Sequence, residues 1–261
     1  MKIGIIGCGN LGVSILEGIT SKMPEIEVFA SKRNVASIEK YASDKVTVTT
    51  DNRALIEQCD VLIFALKPYT VLPFIQEHQK HLDPKRHTLV SAATGISIEE
   101  ISVASGGGLG IYRAMPNTAA AVNESMTALS SNEDPLNREA LVTEIFDGLG
   151  TTVRIDESLM DAATILGACG VAYVLRFMRA MIQGGIEVGF DAKTATQIVS
   201  QTMKGASELI LQKGSHPEQE IDKVTTPKGC TIVGLNEMEH SGFSSSLIKG
   251  ITASYEKIAQ D

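Results

Sequence analysis

The chain has 261 residues, 43% of them hydrophobic, with a formal net charge of -8 and a pI near 5.2. That length and apolar content suffice to bury a sizeable core as one large domain or two modest ones. The acidic balance excludes a general nucleic-acid binder, whose phosphate contacts need a face rich in lysine and arginine.

Taken in chain order, MKIGIIGCGN opens with one lysine and a short apolar run broken by glycines, unlike the charged start and longer apolar stretch of a signal peptide. No segment approaches the roughly 20 uninterrupted apolar residues of a bilayer span. The expectation is a soluble, cytoplasmic protein with no membrane partner. Short β-branched runs follow at 3–6 (IGII), 26–30 (IEVFA), 46–49 (VTVT), 61–66 (VLIFAL), 88–93 (TLVSAA) and 109–115 (LGIYRAM), separated by segments of helical period. Strands alternating with helices predict βαβ units, hence an α/β fold with a doubly wound, mostly parallel sheet. SGGGLG at 105–110 reads as a flexible connection.

The alternation stops after a last strand at 151–155, and everything later reads as helix. Val171, Val174, Leu175, Met178 and Ile182 recur at three- and four-residue steps on one helix face, flanked by Arg176 and Arg179, which argue against a membrane span. Further helices are expected at 191–212 and 231–258, separated by a KGSHPEQE turn and by the turn within VTTPKGCTIVGL at 224–235. The expected division is therefore 1–156 and an all-helical 157–261. So helical a unit exposes an apolar face that another copy would cover, predicting a homodimer or a higher homo-oligomer built on dimers.

Cys8, Cys59, Cys169 and Cys230 stand far apart without a C-x-x-C pair or histidines at ligand spacing, so free thiols and no metal are expected. His78 and His81, set among Gln and Lys, read as a solvated helix face.

Chemistry enters with GIIGCGNLG. Gly7-x-Gly9-x-x-Gly12, with Cys8, Asn10 and Leu11 between, follows the first strand and opens a helix. In that context Gly7 makes the tight turn, Gly9 lets backbone approach a pyrophosphate and Gly12 permits close packing, while the helix start holds phosphate. An acidic residue closing the second strand would bind the ribose 2′-hydroxyl of NAD. Here FASKRN places Ser31, Lys32 and Arg33, and an arginine accommodates a 2′-phosphate, so NADPH is expected over NADH. An ordinary solvated loop remains the bland reading of Lys32 and Arg33.

The turn 226–231 reads on its residues alone either as a helix cap or as an anion cradle. Threonine is a good N-cap. Equally, N–H groups around Gly229 with the hydroxyls of Thr226 and Thr231 suit a small carboxylate. Lys228 is either a solvated side chain or an added cation at that site.

Taken together, GIIGCGNLG, ALKP at 65–68, SAATGIS at 91–97, RAMPNTAAAVNESMTAL at 113–129, DAATILGACGVAYV at 161–174 and TTPKGCT with HSGF behind it resemble pyrroline-5-carboxylate reductase, which makes proline. The resemblance implies a Rossmann-type N-terminal domain binding NADPH and a helical C-terminal domain that dimerises by interlocking helices. It implies an active site to which the partner subunit contributes. By the same resemblance, Thr226, Lys228, Gly229, Cys230 and Thr231 hold the carboxylate of a cyclic imino acid, with Thr231 bonding near the ring nitrogen. Asn52 is expected near the adenine ribose phosphate. Ala65, Lys67, Pro68, Ala93, Thr94 and Gly95 line the nicotinamide end, and Met115, Pro116 and Asn117 close over the ring.

Hydride transfer to an imine needs a polarised C=N, a nicotinamide held close and an anchor for the carboxylate, and little from a side-chain acid. Departures from the family pattern are Lys228 for a glycine, Cys230, Asn123 for a glycine, and Gly167, Ala168, Cys169, Gly170 and Val171 for Ser-Gly-Ser-Gly-Pro. They leave open a related cyclic imino acid or a non-catalytic dinucleotide-binding paralogue. A hydroxyacid dehydrogenase of similar architecture would resemble its relatives in carrying a lysine on the first long helix, and DAATILGACGVAYV has none.

Overall fold

The structure, a computed structural model, describes residues 1–258, so the last three residues of the expected 157–261 span lie outside the described residues. Its strands are β1 (Lys2–Ile6), β2 (Glu27–Ser31), β3 (Val46–Thr49), β4 (Val61–Phe64), β5 (Thr88–Ser91), β6 (Gly110–Met115), β7 (Ser125–Ser131) and β8 (Gly150–Arg154). They form one sheet in the order β3-β2-β1-β4-β5-β6-β7-β8. Every neighbouring pair is parallel except β6 with β7.

The β-branched runs became strands because helices cover both faces. β4 and β5 are buried at every position, as their near-continuous apolar sequences require. One face packs under α1 (Asn10–Lys22) and α5 (Glu139–Asp147), where Ile15, Leu16, Ile19, Val142 and Phe146 meet the strands. The other packs under α2 (Asn52–Gln58), α3 (Pro68–His78) and α4 (Ile98–Ser105) through Leu55, Ile56, Val71, Ile75 and Ile101. A capping box of Ser97 and Glu100 starts α4.

Three sequence expectations need correction, and a fourth is refined. β7 was not foreseen, because SMTALSS lacks a β-branched run; pairing with β6 and β8 makes it a strand. The 105–110 connection joins α4 to β6 as expected, and the structure adds that it opens with a helix stop. Gly106, Gly107 and Gly108 all have positive φ, and the Gly107 N–H closes on the Ser102 carbonyl at 2.9 Å. Part of the expected KGSHPEQE turn is the start of helix α9 (Pro217–Lys223), with His216 as its cap and Pro217 at its first position. The expected helix 231–258 breaks at Gly242, whose φ of 78° ends α10 (Cys230–His240) before α11 (Phe243–Ile258) begins.

The remaining helices are α6 (Met160–Ala163), a π-helical turn Thr164–Cys169, α7 (Gly170–Glu187) and α8 (Ala192–Lys213). By compactness the chain divides into two units, one built on residues 1–171 and one of residues 172–256. The first takes in α6 and the π-helical turn because both pack on β7.

In the second unit, α10 and α11 have no buried residue, and neither has α7. Its internal ties include the Phe177 and Phe243 rings at 5.6 Å and a hydrogen bond from the Tyr173 hydroxyl to Ser254 at 2.7 Å. Val174, Leu175, Ile198, Val233 and Ile248 stay exposed. The helical run 157–187 is long and apolar enough, at a window hydropathy of 1.6, to cross a bilayer by length and composition alone.

Candidate active site

Strand register brings the N-terminal candidates to one edge of the sheet. Ile6 lies beside Ser31 and Phe64, Phe64 beside Ser91, and Ser91 beside Arg113. The segments that follow, carrying Gly7, Lys32, Ala65, Ala93 and Met115, therefore all leave the sheet at its carboxyl edge. Sheet order reverses direction between β1 and β4, which is where such folds open a crevice.

Gly7 has φ 94°, and a Cβ there would stand 2.7 Å from the Ala65 carbonyl, so the turn demands glycine. Gly12 is equally constrained, with the Gly7 carbonyl 2.7 Å from its would-be Cβ. Gly9 is different. Its φ is -76°, and a Cβ would meet nothing within 4 Å. Neither backbone nor neighbours require glycine there, so the open space above it suits a ligand's backbone approach.

The N–H groups sort in the same way. Gly7 and Cys8 donate to the Ser31 carbonyl at 3.1 and 2.9 Å, and Gly9 donates to Gly7. Val13 is the first to donate four residues back, to Gly9, so the N–H groups of Asn10, Leu11 and Gly12 open the helix without a carbonyl of that kind. No side chain caps α1 and no acidic residue sits in its first turn, which leaves the start positive. The Cys8 side chain points into the core instead, and burial pushes its thiol up to about 12.

At the end of β2 the hydroxyl of Ser31 is buried and donates to Asn52 Oδ1 at 2.7 Å. It is therefore engaged within the protein, contrary to the expectation that it stands available. Asn52 is brought to the same edge by that bond. Lys32 Nζ donates to Ser37 at 2.7 Å, and Arg33 is exposed with no polar partner among the described residues.

A groove of about 700 Å³ runs from Gly9, Asn10 and Leu11, past Pro116 and Asn117, to Lys32. It also takes in Glu17, Lys40 and Tyr41, which sequence reading missed. Asn10, Val13, Ser14 and Glu17 are one face of α1, a spacing visible in the sequence. No local signal shows that the 3₁₀ turns Val35–Ser37 and Glu39–Tyr41 lie beside it. The Tyr41 hydroxyl donates to Glu17 at 2.5 Å, and Lys40 Nζ lies 4.8 Å from the Tyr41 ring centroid.

Lys67 caps α3 and Pro68 starts it, both exposed. Ala93 is buried, Thr94 Oγ1 donates to Met115 Sδ at 3.8 Å, and Gly95 has φ 73° with open space around it. Dinucleotide chemistry fits these residues: helix-start N–H groups for a pyrophosphate, a glycine over open space, cations at the end of β2 and no carboxylate in that place.

In the helical unit, Thr226 to Gly229 form a β-turn closed by the Gly229 N–H on the Thr226 carbonyl at 2.9 Å. Pro227 is second and Lys228, with φ 61°, third, the pattern of a type II turn that favours glycine there. Asn123, the other glycine departure, also has positive φ, at 57°. A Cβ on Gly229 would come within 2.5 Å of Thr226 Oγ1. Its own N–H closes the turn, so among the N–H groups around Gly229 those of Cys230, Thr231 and Ile232, at the start of α10, have no carbonyl of that kind. Thr226, Lys228, Cys230 and Thr231 are exposed. Thr225 bonds the Ile221 carbonyl, whereas Thr226 and Thr231 hydroxyls have no partner among the described residues. All four cysteines are free, and the described residues hold no cluster of metal-ligating side chains.

Residues 157–261 match a family model described as pyrroline-5-carboxylate reductase dimerisation. Residues 2–95 match one described as NADP oxidoreductase coenzyme F420-dependent. Pyrroline-5-carboxylate reductases 1 and 2 of Dictyostelium discoideum are each 40% identical over 98% of the chain, which spans 49% of the first and 91% of the second. A crystal structure of Plasmodium falciparum pyrroline carboxylate reductase with NADP bound is 26% identical, with a TM-score of 0.85 over 99% of this chain and 97% of that one.

Proposed function

The chain belongs to the pyrroline-5-carboxylate reductase family, and from that premise we propose that it is an NADPH-dependent reductase of 1-pyrroline-5-carboxylate to proline. One coincidence carries the reading: a dinucleotide cradle at the carboxyl edge of the sheet, and a helical unit matched throughout by the family's dimerisation model.

Bound at that edge, NADPH would supply the hydride that converts the imine carbon to CH–NH. The N–H groups of Asn10, Leu11 and Gly12 would hold its pyrophosphate, and Lys32 with Arg33 its 2′-phosphate. Thr94, Gly95, Met115 and Pro116 would stand at its nicotinamide end. The start of α10, with Thr226, Lys228 and Thr231, would hold the substrate carboxylate and set which face of the ring is attacked. The ring nitrogen takes its proton from water or a hydroxyl, with Thr231 positioning it.

As a functional division we keep 1–156 for the cofactor and 157–261 for substrate and pairing, which the span of the dimerisation match supports. The protein is a homo-oligomer in this reading, with the dimer as its unit and the cytoplasm as its compartment. The apolarity of the 157–187 run then serves pairing between copies rather than a bilayer.

The test is loss of reduced-nicotinamide absorbance with purified protein and 1-pyrroline-5-carboxylate, beside its six-membered homologue and with NADH in place of NADPH. Turnover of the five-membered ring, faster with NADPH, is expected. NADPH binding without turnover on either ring would overturn catalysis in favour of a dinucleotide-binding paralogue.

A further inference from the structure

We propose that Asn117 is a positioning residue that ties the groove's wall at residues 116–121 to the π-helical turn Thr164–Cys169. The inference rests on the reductase reading for its kinetic consequence and on geometry for the rest.

Each polar group of Asn117 has a partner within the protein. Its N–H donates to Ser125 Oγ at 3.0 Å, its carbonyl accepts the Ala120 N–H at 3.1 Å, and its Oδ1 accepts the Ala119 N–H at 2.9 Å. These bonds shape the β6–β7 connection. The remaining polar atom, Nδ2, donates to the Gly167 carbonyl at 3.1 Å, across 50 residues of sequence. Among the described residues it is the one hydrogen bond reaching that turn from outside the helical run that contains it.

π-Helical turns are rare and recur at functional sites, and this one spans six residues. Gly167 cannot be held by a side chain of its own, and packing does not confine it: a Cβ there would meet only Met126 Cγ, at 4.0 Å. The next residue, Ala168, lines the groove together with Pro116 and Asn117. One amide therefore sets the spacing between two walls of the groove. Each side-chain polar atom is thus anchored to one partner within the protein.

Asn117→Asp removes this bond and sets a carboxylate oxygen against the Gly167 carbonyl. The carboxylate still accepts the Ala119 N–H, and Asp is as good a cap as Asn, but the donor to Gly167 is gone. Asn117→Ser, which also caps and is too short to reach Gly167, loses the same bond without the added charge, and the changes below are expected of both variants. Two measurements on the full chain are expected to move. Amide hydrogen exchange across residues 164–169, without ligand, quickens about tenfold, the factor of one lost hydrogen bond. In turnover, kcat falls about tenfold or more while the NADPH KM stays within about threefold, as expected of misplacement rather than lost contact.

Unchanged exchange across 164–169 in a folded variant overturns the tie whether or not the wild type is active. A rise in NADPH KM at unchanged kcat overturns the positioning role in favour of direct cofactor contact. An inactive wild type would instead defeat the reductase reading and leave the exchange result to decide the tie.

Discussion

Residue by residue, the three glycines of the fingerprint do unlike work. Gly7 and Gly12 answer to crowding within the protein, while Gly9 answers to nothing in the chain itself. Gly9→Ala is therefore expected to leave the melting temperature within about 2 °C and to weaken NADPH binding at least tenfold, a cost of about 1.4 kcal/mol. Equal affinity by fluorescence titration would show that the space above Gly9 is not the pyrophosphate site. Lys228 poses the converse case, a side chain where the backbone favours glycine. A left-handed non-glycine residue costs about 1–2 kcal/mol, and a glycine gives back about 0.4–1 kcal/mol through the unfolded chain. Lys228→Gly should then match or exceed wild-type stability by up to about 1 kcal/mol in urea unfolding. If its ammonium helps hold the carboxylate, the same variant raises KM for the imino acid several-fold. An unaltered KM would reduce Lys228 to a solvated side chain.

Among the elements, the start of β5 is held by a neutral histidine. His87 Nδ1 accepts the Asp83 N–H at 2.8 Å, which puts the ring proton on Nε2, facing the Ile56 carbonyl at 3.1 Å. Burial, with Arg86 nearby, holds its pKa below the usual histidine value. The folded state thus prefers neutral His87. Its contribution to stability is present above the unfolded pKa of about 6.5 and is lost as pH falls through the lower folded value. Unfolding midpoints taken near pH 7.5 and near pH 5.5 should drop for the wild type. His87→Gln should lose part of that drop. An identical drop in the variant would mean that other groups carry it. Elsewhere β-branched runs marked strands correctly, whereas α9 was read as a turn because histidine is not an ordinary N-cap and only the structure shows His216 in that role. β7 was not readable, since Ser125, Thr127 and Ser130 are buried only because β6 and β8 flank them.

For the whole molecule, the helical unit is the part that cannot stand alone. α7, α10 and α11 bury no residue within the chain, and Val174 and Leu175 are 48% and 57% exposed on the stripe predicted from periodicity. Such a face is covered in a homo-oligomer, whose stability then depends on concentration. Leu175→Glu should shift the protein toward monomer in sedimentation, by burying a charge where an apolar side chain belongs, and should lower the melting temperature. A monomeric wild type whose melting temperature ignores concentration would refute this.

Sequence by itself determined the alternation of strands and helices, the Gly7 turn, the missing carboxylate after β2 and the apolar stripe of α7, because period and glycine placement are local properties of the chain. Tertiary structure alone decided that Ser31 bonds Asn52, that the 35–41 turns lie beside α1, that the Gly229 N–H closes a turn on Thr226, and that Asn117 reaches Gly167. Each of those depends on which polar partner a neighbouring segment brings within hydrogen-bond reach, and burial makes that pairing obligatory.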